Sequence, residues 1–178
     1  MDSHEERQFI EKAQCGDREA LGALWDALTP KLFGYLVNVL KDKTLAEDIL
    51  QTTWLKAIDG LPRFQQRGVP FSSWLFAIAH NECRQHWRTG SHEVPLDPEI
   101  HDIPDHASTK PHDKILIDQV LAKLPEDDRE LLRLRYIADL PLSDIASILK
   151  LNFVTVRVRV HRALARARMH AVAQPNHA

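Results

Sequence analysis

The segment from Lys150 to Arg168, KLNFVTVRVRVHRALARAR, carries six lysine and arginine side chains, and no acidic residue follows Asp144. The whole chain of 178 residues has a net charge of −2, so this concentration of cations runs against the average. It suits a polyanion better than it suits solubility, for which both signs would be interspersed. Wound as a helix at about 100° per residue, Phe153, Val156, Val160 and Leu164 share one stripe. The opposite side carries Thr155, Val158, Arg159 and Arg162, with Arg157 flanking and Arg166 a turn further on. The apolar stripe would dock the helix. The other face joins a short hydroxyl and a branched apolar residue, which permit close approach, to guanidinium groups that hydrogen-bond guanine edges and phosphates. A basic surface helix with no ligand has the same composition, so the face needs a scaffold before it implies DNA.

Two further clusters could bind rather than react. In FSSWLFAIAHNECRQHWR, the residues Asn81, Arg84, Gln85, His86, Trp87 and Arg88 are amides, guanidinium groups and aromatics, the types that hydrogen-bond bases and stack on unpaired ones. They equally suit the polar side of an aromatic core helix. The preceding stretch, broken by Pro62, Gly68 and Pro70, is a loop that presents Phe64, Gln65, Gln66 and Arg67. Glu47, Asp48 and Gln51 lie three and four positions apart, neighbours on a helix surface, and by composition alone they form a solvated face. His92, His101, His106 and His112 match no common metal-ligand spacing, and Cys15 and Cys83 have no CxxC partner and read as reduced thiols. No nucleophile, base and orienter come together in the sequence, so neither catalytic activity nor a metal or other cofactor is expected.

The elements that must position these residues are helical. Charge divides the chain into residues 1–88 at −1, residues 89–112 at −4 and residues 113–178 at +3. The middle piece, with Pro95, Pro98, Pro104 and Pro111, has too few bulky apolar residues to offset its ordering entropy. This predicts an all-α chain of two small domains, 1–90 and 113–174, joined by a flexible acidic linker at 91–112. In the first domain Gly16-Asp17 separates two helices, and Pro30 starts a new helix or bends an existing one. Thr44 with Glu47 forms a capping box, and Ser72 or Ser73 opens a helix to about Arg88 that buries Trp74, Leu75, Ile78 and Cys83. In the second domain, breaks at Pro125, at 139–141 and at 150–152 leave four helices. The third is short, started by Pro141 or Ser143, and the fourth is capped by Asn152. Two helices joined so tightly form a helix-turn-helix. No apolar run reaches the roughly 18 residues of a membrane span, and the polar, acidic start MDSHEERQFIEK is no secretory signal, so the cytoplasm is expected.

The stretch LPEDDRELLRLRYIADLPLSDIASILKLNFVTVRVRVHRALARAR resembles the fourth region of bacterial extracytoplasmic-function (ECF) sigma factors, and LAEDILQTTWLKAI with FSSWLFAIAHNECRQHWR resembles their second region. The matches stand in the right order and cover most of the chain outside the linker. The resemblance implies a region 2 helical bundle and a region 4 helix-turn-helix domain that together bind core RNA polymerase and direct promoter-specific initiation, with no catalysis of their own. It places Glu47, Asp48 and Gln51 against the beta-prime clamp of the polymerase, with the beta flap as a second contact. Phe64, Gln65, Gln66 and Arg67 would capture a flipped base of the minus-ten element, flanked by Asn81, Arg84, Gln85 and Arg88. Arg135, Thr155, Arg157, Val158, Arg159 and Arg162 would meet the minus-thirty-five element. The linker would thread towards the RNA exit path, and an anti-sigma factor would cover the binding surfaces. Lys150 stands where the turn usually has glycine, which predicts either a slightly different turn or a strained one, since lysine pays a cost to adopt positive φ. Val154 and Val158 replace small or polar residues, which alters the minus-thirty-five sequence and not the DNA-binding role. The competing reading is a stand-alone helix-turn-helix regulator, which would dimerise and footprint a palindrome by itself.

Overall fold

A computed structural model of the chain describes residues 3–65, 68–89 and 119–172, and all regular elements among them are helices. The chain divides into two compact units, Met1–Asp102 and Ile103–Ala178. The predicted linker at 91–112, with its four histidines, lies outside the described residues. Among those residues, no helix is long and apolar enough to cross a membrane.

The first unit is built from α1 (Ser3–Gln14), α2 (Arg18–Leu40), α3 (Lys43–Gly60) and α4 (Phe71–Thr89). Gly16, at φ +90, turns the chain out of α1 in a conformation open to a residue without Cβ. Asp17 then caps α2, its carboxylate accepting from the amides of Glu19 at 2.9 Å and Ala20 at 3.1 Å. α2 runs on through Pro30 without a break, burying Leu24, Leu28, Leu32 and Leu36 at four-residue steps. The start of α3 differs from the expected capping box. Asp42 takes the cap, accepting from the Leu45 amide at 3.0 Å, because its carboxylate reaches the first turn before Thr44 can. Glu47 therefore has no capping duty and stays exposed. α4 also begins earlier than expected, at Phe71, and Glu6 from α1 supplies a cap: its Oε1 accepts from the Ser72 amide at 2.8 Å. Trp74 and Ile78 are only half-buried, whereas Phe71, Ser73, Leu75, Phe76, Ala79, His80 and Cys83 are buried.

An aromatic cluster joins α2, α3, α4 and the loop before α4. The Trp54 ring lies 4.8 Å from that of Trp25 and 6.4 Å from that of Phe71. Phe71 continues to Trp74 at 5.4 Å, and Phe64 sits 5.5 Å from Phe71 and 4.8 Å from Trp74. A Cβ on Gly60 would meet the Trp74 ring at 3.0 Å, so the end of α3 needs glycine to approach it this closely. The loop holds one turn of 3-10 helix, Leu61–Arg63, where the prolines had predicted no regular element.

The second unit contains a helical stretch at 119–122, α5 (Glu126–Leu132), α6 (Leu142–Leu149) and α7 (Phe153–Val172). α5 widens into a π-helical turn at Arg133–Ile137, closed by the Ala138 amide donating to Arg133 at 3.0 Å. α6 ends on Lys150 at φ +54, the second of the two outcomes expected there, and the Leu151 amide donates to Ala146 at 2.9 Å to satisfy the last turn. Asn152 caps α7 through the Val154 amide at 2.7 Å. Val156, Val160 and Ala163 of α7 are buried; Ala163 clusters with Leu121, Leu124 and Leu132, and Leu164 packs partly buried against that cluster. Phe153 departs from the predicted apolar stripe. It sits 49% exposed in the first turn, ahead of the point where α7 meets the core.

The buried carboxylate of Glu6 should hold α4 onto α1. Glu6→Ala leaves the half-buried Ser72 amide without its cap, and chemical denaturation of the full chain should show a loss of about 1–2 kcal/mol; an unchanged midpoint would remove the cap from the account.

Candidate nucleic-acid interface

Burial of one side of each helix decides which side remains for a ligand. On α3, Ala46, Ile49, Thr53, Trp54 and Ala57 turn inward. Glu47, Asp48 and Gln51 are exposed, as is the row that continues them, Leu55 (61%) and Ile58 (41%). The period of the sequence alone gave no reason to put these two apolar residues outside. Their steps of four and three from Gln51 now join them to the acidic cluster as one stripe. Lys56 ties the helix to α4 through Glu82, 2.6 Å away.

On α4, Asn81, Arg84, Gln85 and Arg88 are all exposed at steps of three, one and three, which is one helical face. Trp87 stands beside them, half in solvent. The structure thus groups the four residues that the resemblance named, while His86 is half-buried. Phe64 behaves differently from a free stacking platform. Its ring is held edge-on by Phe71 and tilted against Trp74, and its carbonyl, together with that of Leu61, accepts from the Gln14 side chain at 2.8 and 2.9 Å. Phe64 anchors the loop, and Gln14, which the sequence gave no reason to select, fixes the loop from α1. Gln65 is exposed, while Gln66 and Arg67 lie outside the described residues.

On α7 the exposed face is selective about its arginines. Thr155, Arg157, Val158 and Arg162 are exposed, and neither arginine forms an ion pair with another described residue. Arg159 is half-buried and donates to Asp127 of α5 at 2.8 Å, and Arg166 pairs with the buried carboxylate of Asp128. Both acids stand in the first turn of α5, where the amides and the helix dipole also favour negative charge. The two arginines lie about 20° apart around α7, on the flank towards α5. Arg135 is placed apart from α7, on the π turn: its Nη1 donates to the Leu140 carbonyl at 3.0 Å and its guanidinium lies 5.8 Å from the Tyr136 ring. Thr155, Arg157, Val158, Arg159 and Arg162 are therefore together on one helix, and Arg135 supports the turn before it. The acids that hold Arg159 and Arg166 were not legible, because the pairing spans 32 and 38 residues.

Known proteins share this arrangement. The family models for Sigma-70 region 2 and Sigma-70, region 4 match residues 24–93 and 114–166. The ECF RNA polymerase sigma factor ShbA of Streptomyces griseus is 31% identical, over 90% of this chain and 92% of its own. The RNA polymerase sigma-H factor of Pseudomonas aeruginosa is 28% identical, over 92% of each chain. Among solved structures, CnrH in complex with the cytosolic domain of CnrY superposes with a TM-score of 0.74 at 23% identity, covering 96% of this chain and 99% of that one. The sigma factor RpoE of Bartonella quintana, in complex with the anti-sigma factor NepR, gives 0.70 at 23% identity, over 87% and 98%. These two establish likeness of fold. With both sigma-70 regions matched in order and a relative above 30% identity along nine tenths of its length, the chain belongs to the ECF sigma factors of the sigma-70 family.

Proposed function

We propose that this sigma factor binds core RNA polymerase through the exposed stripe of α3, directs it to promoters through α4 and α7, and performs no bond-making chemistry itself. The observation that carries the reading is the segregation of surfaces. An acidic stripe with two exposed leucine-type side chains suits a protein partner, and a cationic face with amides and hydroxyls suits DNA. Glu47, Asp48 and Gln51, extended by Leu55 and Ile58, would meet the beta-prime clamp, and the second unit would meet the beta flap. Asn81, Arg84, Gln85 and Arg88 would line the melted minus-ten element. Extracting a base costs a few kcal/mol of unstacking, which hydrogen bonds to an exposed amide face can offset. Because the Phe64 ring is already engaged, its part is to anchor the chain just before Gln65, while Gln65, Gln66 and Arg67 would contact the base. Thr155, Arg157, Val158 and Arg162 would enter the major groove at the minus-thirty-five element, with Arg159 kept at the flank by Asp127.

Control by an anti-sigma factor follows from the same surfaces, since a protein that covers the α3 stripe blocks polymerase binding. CnrH and RpoE were each solved with a protein partner bound, which supports such a partner here. The likeness to ShbA along 90% of the chain favours the two-region factor over a stand-alone helix-turn-helix regulator. The site of action would be the cytoplasm, where the polymerase is.

Run-off transcription with core polymerase and a genomic promoter library tests the reading. Discrete transcripts that depend on the chain are expected, and Asp48→Lys should weaken polymerase association by about tenfold or more through like-charge contact. No transcript at any promoter, or unchanged association of the variant, contradicts it.

The arginines of α7 should also separate by role. Arg162→Ala should lower promoter affinity of the holoenzyme and reduce the slope of log affinity against log salt by about one. Arg166→Ala should instead cost about 1–3 kcal/mol of unfolding free energy, because it strips the partner from the buried Asp128 carboxylate. Equal salt slopes for the wild type and Arg162→Ala would be against this division.

A further inference from the structure

The exposed face of α7 has an apolar centre. Around the helix, at about 100° per residue, Val156, Val160 and Ala163 define the buried direction, and the point opposite falls between Val154 and Val158. Those valines are 64% and 41% exposed. Arg157 flanks them on one side and Arg162 on the other, while Arg159 and Arg166 are drawn off towards α5 by Asp127 and Asp128. Neither valine contributes to the core, and both stand in the first turn and a half after the Asn152 cap, the part of a recognition helix that meets base edges.

An apolar pair framed by cations fits one feature of the DNA major groove. The thymine C5-methyl is the apolar group there, beside the hydrogen-bonding edges that arginine reads and the phosphates that arginine neutralises. A docking protein would more readily complement such a rim with carboxylates, but phosphates are the denser anion, and the absence of any acid after Asp144 favours them. Resting on the reading of α7 as the minus-thirty-five contact, we infer that Val154 and Val158 are specificity residues that select thymine by its methyl group. The favoured element carries T·A pairs under the two valines, flanked by phosphates or guanines for Arg157 and Arg162. Four residues of helix rise span about 6 Å, so the two thymines lie within about two base-pair steps of one another.

The test uses the full chain bound to core polymerase and a promoter recovered by run-off selection. Each thymine of the minus-thirty-five element, on either strand, is replaced singly by deoxyuridine, which removes only the methyl. Wild-type holoenzyme should lose about fourfold in affinity at each of two positions, the equivalent of about 0.8 kcal/mol for one buried methyl. In Val154→Ala and Val158→Ala, one deoxyuridine penalty apiece should disappear. Both positions are exposed and alanine is the better helix former, so both variants should fold. The inference is overturned if no deoxyuridine weakens binding, if the penalties persist unchanged in both variants, or if the variants impair assembly with polymerase and leave promoter discrimination intact, which would make the face a protein-docking surface. Failure to start RNA at any promoter is a separate result that removes the underlying function.

Discussion

The burial of Trp54 between Trp25 and Phe71 is the constraint on which the first unit depends. Removing a fully buried tryptophan typically costs about 3–5 kcal/mol, whereas a partly exposed pair such as Lys56–Glu82 contributes under about 1 kcal/mol. Packing, not charge, therefore sets the rotation of α3. Once Ile49, Thr53, Trp54 and Ala57 face inward, Glu47, Asp48, Gln51, Leu55 and Ile58 have only the outside left to them. The same cluster reaches through Phe71 to Trp74 and Phe64, so the burial that orients the α3 stripe also fixes the start of the loop before α4.

The second unit solves a similar problem around one long helix, α7, and two short ones. α6 has eight residues and would not persist alone, so it depends on Ile145 and Ile148 being covered. α7 is docked by Val156, Val160 and Ala163 and trimmed by the acids of α5, which hold two of its arginines at the flank. The surface left for DNA is thus narrower and more apolar at its middle than a count of basic residues suggests. In both units the surface offered to partners is set by which side chains are not needed inside.

Much of this was legible in the sequence. The three- and four-residue spacing of apolar positions located the helices, and Gly16-Asp17 and Asn152 marked two starts, because each of these signals is local. The errors came where a nearer or a distant group competed. Asp42 displaced the Thr44 cap by standing two residues earlier, and the Ser72 amide is capped by a glutamate 66 residues away. The position of Phe153 depended on where α7 first touches the core, which periodicity does not encode. The π turn at Arg133–Ile137 has no compositional signature that separates it from an ordinary helix. The exposure of Leu55 and Ile58 was not legible, because apolar character says nothing about which of two faces a partner will cover. Gln14 and Asp127 are ordinary surface types in the sequence, and only the fold brings them to the loop and to Arg159.

The central claim is that distinct exposed faces, fixed by burial behind them, are covered in sequence by polymerase and then by promoter DNA. Hydroxyl-radical footprinting with mass spectrometry reports side-chain exposure directly, on the chain alone, with core polymerase, and with polymerase and promoter. The account predicts that Leu55 and Ile58 lose reactivity on addition of core polymerase, and that Trp87, Val154 and Val158 lose it only when promoter is present. Persistent reactivity of Leu55 and Ile58 in the assembled enzyme, with protection elsewhere on the first unit, would contradict it.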